Sequence, residues 1–158
     1  MTDGTGSDMV RSGHIRPLAL GLVWRGDELL VFEGYDHVKD EVFYRPLGGG
    51  IEFGEHSRDA LRREFREELG AELADVRYVG TLENIFTCDG RRGHEICLLF
   101  EAALADPSFY ERESFTVTEE VERLPARWMP LRTFADAGGP PLYPDGLLPM
   151  LKGRGGIR

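Results

Sequence analysis

One stretch of this chain has a periodicity that admits a single secondary structure. Residues 57–69, SRDALRREFREEL, are closed by Gly70 and preceded by glycines at 48, 49, 50 and 54. Ser57 is a good N-cap and Gly70 a good C-terminal stop, so the pattern predicts a helix over 57–69. At about 100° per residue, Leu61, Phe65 and Leu69 fall at roughly 0°, 40° and 80°, a single apolar stripe for a core. On either side the chain reads as strand. IRPLALGLVW and ELLVFEGY flank RGD as a hairpin, and VFYRPL feeds the glycines. DVRYVGTLENIFTC and HEICLLFEAAL follow as a second pair, and ARWMPL is a late strand. Strands before and after one strong helix predict an α/β domain with a mixed sheet.

The same helix carries a second stripe. Glu68, Glu64 and Glu67 sit at roughly -20°, -60° and -120° on the wheel, beside the apolar face. Arg62 and Arg66, at about 100° and 140°, read as ordinary solvated partners of helical acids. Three like charges spaced i, i+3 and i+4 against a core edge repel one another and call for a counter-cation. Hard divalent ions take carboxylate and carbonyl oxygens and complete their shells with water and substrate phosphates. The glycines supply the other half, since they leave no side chain between the backbone and a metal or phosphate.

The rest of the chain narrows the classes. At 158 residues and 41% apolar content the expectation is one domain from residue 13 to 158, behind a flexible, polar N-terminus over 1–12. A net charge of -9 disfavours binding along a nucleic-acid backbone or an anionic membrane, which predicts neither a nucleic-acid polymer nor a membrane as partner. The absence of a long apolar run or a signal-like start predicts a cytoplasmic protein. Cys88 and Cys97 flank a turn-like DGRRGH and are expected to be reduced thiols; the four histidines are scattered without zinc spacing. Charged ERESFTVTEEVER reads as an exposed loop, and Asp145 to Lys152 as about two turns of helix.

Gly49, five residues, Glu55, seven residues, Arg63-Glu64, apolar Phe65, one residue, Glu67-Glu68, one residue and Gly70 resemble the Nudix box, with all seven fixed positions filled. At roughly 6% background per position, a chance match is of order 10⁻⁹ per starting point. Phe65 and Ala71 stand where the pattern has aliphatic residues, departures that touch packing rather than chemistry.

The resemblance implies a Nudix-type α/β/α sandwich with a mixed β-sheet, and hydrolysis of a diphosphate linkage in a nucleoside diphosphate derivative with Mg²⁺ or Mn²⁺. It implies Glu64, Glu67 and Glu68 as metal ligands, with the Gly48 carbonyl in addition, Arg63 orienting carboxylates, and Glu55 bracing the loop or ligating. The base that takes a proton from the attacking water is expected from the box helix or from Glu119 or Glu120, with Glu95 as a strand-borne alternative. Tyr35, Phe43, Tyr44, Phe86 and Tyr143 are available to stack on a base, and Arg45 or Arg91-Arg92 to hold phosphate or ribose. The implied partner is a small nucleotide-derived substrate, and a homodimer is among the states the family admits. The rival from another class is a non-catalytic domain of the same fold that binds a nucleotide or a protein, whose mark is loss of box acids; none is lost. An isopentenyl-diphosphate isomerase, which shares the fold, needs a reactive thiol, and neither cysteine has such a context.

Overall fold

The structure, a computed structural model, describes residues 13–119 and 122–153. The N-terminal stretch 1–12 and Glu120 lie outside these residues, and Glu119 is described by its backbone alone. Seven strands, β1 (Ile15–Arg25), β2 (Glu28–Asp36), β3 (Glu41–Gly50), β4 (Leu73–Cys88), β5 (Arg91–Leu104), β6 (Ser114–Glu119) and β7 (Glu122–Pro130), form one sheet in the order β4-β5-β1-β3-β2-β7-β6. Strands β1 and β5 run parallel and the other pairs antiparallel, so the sheet is mixed. Helix α1 (Ser57–Leu69) joins β3 to β4, and α2 (Leu131–Ala135) and α3 (Leu147–Gly153) follow β7.

The run IRPLALGLVW does not alternate in polarity because both faces of β1 are covered. Ala19 and Val23 enter a core shared with Ala60, Leu61 and Phe65 of α1. Leu18, Leu20 and Leu22 enter a second core with Leu131 and Phe134 of α2 and Leu147 and Leu151 of α3. A sheet with helices on both faces is the α/β/α sandwich that the resemblance implied.

The most consequential bend lies in β3. Its first half pairs with β2 through Pro46, and its last four residues, Leu47 to Gly50, pair with β1. Gly48 makes the crossing with φ +145°, and a Cβ there would stand 2.1 Å from the Ala19 carbonyl oxygen. No residue with a side chain fits that contact. Gly48, Gly49 and Gly50 are therefore strand, and Gly54 lies in the turn ahead of the helix.

Three expectations change. The helix spans 57–69 as expected but its cap differs: His56 holds the extended N-cap position, and Ser57 is the first helical residue. The His56 carbonyl accepts from the Ala60 amide at 2.9 Å, and no side-chain cap bond forms; Arg63 grips Glu55, the residue before the cap. Gly70 ends the helix as expected, left-handed at φ 68°. The charged stretch read as a loop contains β6 and the start of β7. There Phe115 and Val117 are buried while Thr116 and Thr118 are exposed, a period of two that charge density concealed. The last helix starts at Leu147, and α2 was not foreseen. Cys88 and Cys97 are buried, unbridged thiols facing Arg91 and Leu82 across the ladder. No helix among the described residues is long and apolar enough to cross a membrane.

Phe65 explains its own departure from an aliphatic residue. A Cβ on Gly21 of β1 would lie 2.7 and 2.9 Å from its ring carbons, so the ring uses the space of a missing side chain. Gly21→Ala is expected to cost about 1–3 kcal/mol by overpacking. In a Phe65→Leu background that cost should fall by at least half, a coupling that a double-mutant cycle in urea measures.

Candidate active site

Helix α1 lies along the end of β3 so closely that a side chain at Gly49 would have to displace the Glu64 carboxylate. A Cβ there would stand 2.5 to 2.7 Å from the carboxylate of Glu64. The spacing i, i+4 on α1 places Glu64 beside Glu68, and one residue before Glu64 stands Arg63, which gathers the acids around it.

The Arg63 guanidinium is the hub. Its Nε and Nη2 donate to the two carboxylate oxygens of Glu55 at 2.9 Å each, a bidentate fork. Its Nη1 donates to Glu64 Oε1 at 2.8 Å and to Glu67 Oε2 at 3.3 Å, and its Nη2 also reaches the Gly50 carbonyl at 2.9 Å. Glu52 stands further out at 3.9 Å. The Glu55 carboxylate accepts in addition from the Glu52 amide at 3.2 Å, which closes the Glu52–Glu55 turn onto the hub. One cation thus offsets several carboxylates that would otherwise repel. Hydrogen bonds from Arg63 hold Glu55 below the ordinary carboxylate range against a smaller opposing effect of burial, and the acids raise the guanidinium further above its ordinary value.

The structure gathers Glu55, Arg63, Glu64 and Glu67 around one point. Glu68 is buried at the helix edge, whereas the Glu67 side chain is 59% exposed. Gly48 lies in β3 opposite Leu20, within the same cleft as Gly49. Among the described residues no three His, Cys, Asp or Glu side chains converge as a metal cage; Arg63 stands between Glu55, Glu64 and Glu67 instead. The donor set nevertheless fits a hard divalent ion: carboxylate oxygens on one helix face, an adjoining strand of glycines, and no soft ligand.

Glu119 ends β6, where the ladder closes on Glu122, and its side chain is not described. Glu95, the strand-borne candidate base, is 1% exposed and ion-paired with Arg45 Nη2 at 3.4 Å. No local signal marks this pair, since its members are fifty residues apart. Of the stacking candidates, Phe43, Phe86 and Tyr143 line one cavity. Tyr44 is committed elsewhere, its hydroxyl donating to Glu33 and accepting from Arg127, and Tyr35 packs edge-on against His37.

With this geometry in view, the comparisons decide the family. The NUDIX domain model matches residues 14–145. The chain belongs to the Nudix hydrolase family. An NAD-capped RNA hydrolase NudC from Pseudomonas putida is 40% identical over 68 residues, 43% of this chain and 24% of that protein. The Pseudomonas aeruginosa NudC is 37% identical over the same length. The chain thus spans about a quarter of the length of the curated relatives it matches. Among solved structures, a Nudix family hydrolase from Clostridium perfringens aligns with TM-score 0.57 and 16% identity, covering 87% of this chain and 93% of that one. The E. coli ORF135 protein aligns with TM-score 0.53 and 23% identity over 94% and 91%. Likeness at these identities shows the shared fold.

The hub has a pH signature. A carboxyl whose pKa is lower in the folded than in the unfolded chain contributes stability above its ordinary value near 4.3, and this is lost as pH falls through the folded value. Carbon-detected NMR titration should place the Glu55 midpoint below about 4.3 and return it toward that value in Arg63→Ala. A wild-type midpoint at the ordinary value would contradict the hub.

Proposed function

We propose that the chain is a pyrophosphohydrolase that cleaves the diphosphate linkage of a nucleoside diphosphate derivative with Mg²⁺ or Mn²⁺. The observation that carries this reading is the gathering of Glu55, Glu64 and Glu67 around Arg63, beside a strand whose Gly49 leaves the Glu64 carboxylate open to the cleft. Glu64 and Glu68, with Glu67 and the Gly48 carbonyl, would hold the ion. When bound it supplies charge neutralisation at the phosphates and a more acidic water.

The chain's own groups do the rest. Arg63 sets the rotamer of Glu64 and, through Glu55, fixes the loop that leads into the helix. A partial release of Glu64 and Glu67 from Arg63 frees carboxylate oxygens for the cation while Glu55 keeps its bidentate grip. The proton of the attacking water passes to a carboxylate of α1 or to Glu119 or Glu120. Glu95 is a poor base because Arg45 already engages it in a buried ion pair. The glycines let the diphosphate approach the backbone without a side chain in the way.

The substrate belongs to the small nucleotide-derived class. The curated relatives are named for NAD-capped RNA, which makes dinucleotides natural members of a test panel. The excess negative charge disfavours grip along an extended RNA backbone but says nothing against a dinucleotide end in the cleft.

Release of nucleoside monophosphate is the decisive assay, run on NAD, ADP-ribose, a sugar nucleotide and nucleoside triphosphates with Mg²⁺ or Mn²⁺. One class is expected to turn over, with no turnover in chelator. Glu68→Gln should lower kcat by about 10²–10³-fold, the range for losing a group that stabilises transition-state charge, with circular dichroism unchanged. Inactivity on the panel, with nucleotide binding retained, favours the binding-module alternative.

A further inference from the structure

An open sheet ends at two strands whose outer N–H and C=O groups have no neighbour, and proteins blunt such edges because they pair readily with other chains. Here the edges are β6 and β4. Strand β6 is six residues long, and a short edge offers little to pair with. Strand β4 runs for 16 residues, the longest strand in the sheet.

The first half of β4 is guarded. Its ladder with β5 is irregular between Ala74 and Arg77 and again between Tyr78 and Gly80, which bends the strand. Helix α1 also closes carbonyls there: Arg62 donates to that of Leu73 at 3.0 Å and Arg58 to that of Val76 at 2.6 Å. From Gly80 to Cys88 neither device is present. This stretch pairs with β5 from Leu99 to Arg91 without a break, contains no proline and carries one charge, Glu83.

The direction of the free groups follows from the ladder. The Ala105 amide donates to the Glu72 carbonyl where the pair begins, so odd-numbered residues of β5 turn their backbone groups toward β4 and even-numbered ones turn away. Leu82, Asn84, Phe86 and Cys88 lie opposite odd-numbered residues and are bound to β5, whereas Thr81, Glu83, Ile85 and Thr87 lie opposite even-numbered ones and point their groups outward. The Thr87 carbonyl accepts from Lys39 at 2.7 Å, which caps that end. Among the described residues, the outward backbone groups of Thr81, Glu83 and Ile85 meet no side chain. The Glu83 carboxylate is drawn inward to His94 Nε2 on β5 at 3.0 Å, so it does not shield the edge. Apolar surface flanks these groups on both faces. Ile85 is 55% exposed on the face that carries α1, and Leu82 packs half-buried beside Met150 of α3 on the other.

We propose that residues 80–88 of β4 pair with the same residues of a second copy of this chain, antiparallel about a two-fold axis at Ile85, so that the sheet continues from one copy into the next. A two-fold contact sets the axial residue against itself, and charge selects which residue that is. Centred on Glu83 or Asn84, two carboxylates would stand opposite or diagonally adjacent, which destabilises a strand pair. Centred on Ile85, the axial pair is apolar, Glu83 faces Thr87, and the two Glu83 residues lie four positions, roughly 13 Å, apart along the strands. The charge held at Thr87 is Lys39, opposite in sign to Glu83, and the Thr87 carbonyl keeps a second lone pair for the new ladder. The pairing uses neither the acids of α1 nor the cleft, so it stands apart from the hydrolase reading.

Sedimentation velocity over a dilution series tests this, with melting midpoints as the check on folding. The protein should sediment at twice its chain mass of 17.8 kDa. Ile85→Lys, which sets like charges against each other at the axis, should raise the dissociation constant about tenfold or more. Glu83→Pro removes an outward N–H and no bond to β5, and should have the same effect. Where proline lowers the melting midpoint, Ile85→Lys carries the test. Thr116→Lys on the opposite edge should leave the mass unchanged. Under mild oxidation Ile85→Cys should cross-link two copies, whereas Thr81→Cys should not, because its thiols would lie eight positions, roughly 27 Å, apart. A monomer at every concentration overturns the proposal and leaves the edge to an extended segment of another kind. A dimer that survives both Ile85→Lys and Glu83→Pro, or a Thr81→Cys that cross-links as readily as Ile85→Cys, overturns it equally.

Discussion

The close approach of one helix to the sheet is the constraint on which this protein depends. Two glycines on adjacent strands make it: Gly21 of β1 receives the Phe65 ring, and Gly49 of β3 leaves room for the Glu64 carboxylate. The first contact is apolar and seats the helix; the second is polar and brings its acids to the strand. A side chain at Gly21 would press on the Phe65 ring that seats α1, and one at Gly49 would push the Glu64 carboxylate away from the strand. Packing and chemistry are thus set by the same few ångströms, on two neighbouring faces of a single helix.

Electrostatics shapes what that approach allows. Carboxylates crowded on one helix face repel, and a lone surface ion pair contributes little to offset this. Arg63 acts differently because it is shared. Its fork holds Glu55, a third nitrogen reaches Glu64 and Glu67, and the Gly50 carbonyl anchors it to the strand. The hub therefore stores the acids in an ordered, partly neutralised arrangement that a divalent cation is suited to compete for. Arg45 and Glu95 form a second, buried pair at the other end of the glycine strand. The cleft lies between the two arginines, which suits a substrate with negative charge along its length.

Much of this was legible in the sequence wherever the signal was local. The 3.6-residue period and Gly70 gave α1 and its end, apolar runs on either side of RGD gave the first hairpin, and the spacing from Gly49 to Gly70 carried the family. Charge density hid β6, because Glu and Arg at 111–123 outweighed the two inward residues Phe115 and Val117. The N-cap falls on His56 rather than Ser57, next to a Glu55 that Arg63, eight positions on, holds by donated hydrogen bonds. Other features were illegible for a single reason: they are made by long-range register. Gly34 under Phe43, Gly93 under Phe86, and Arg45 beside Glu95 come together only when strands pair. In the sequence, each of those aromatics looks like any core residue, and Glu95 like any surface acid.

Hydrolysis in water enriched in ¹⁸O, followed by mass spectrometry of the products, tests the central claim most directly. Water activated at the box helix and attacking phosphorus puts the label into a phosphate group of one product, in the metal-loaded wild-type protein alone. Label recovered in the non-phosphate group, or no metal-dependent turnover of any nucleoside diphosphate derivative, would contradict the account.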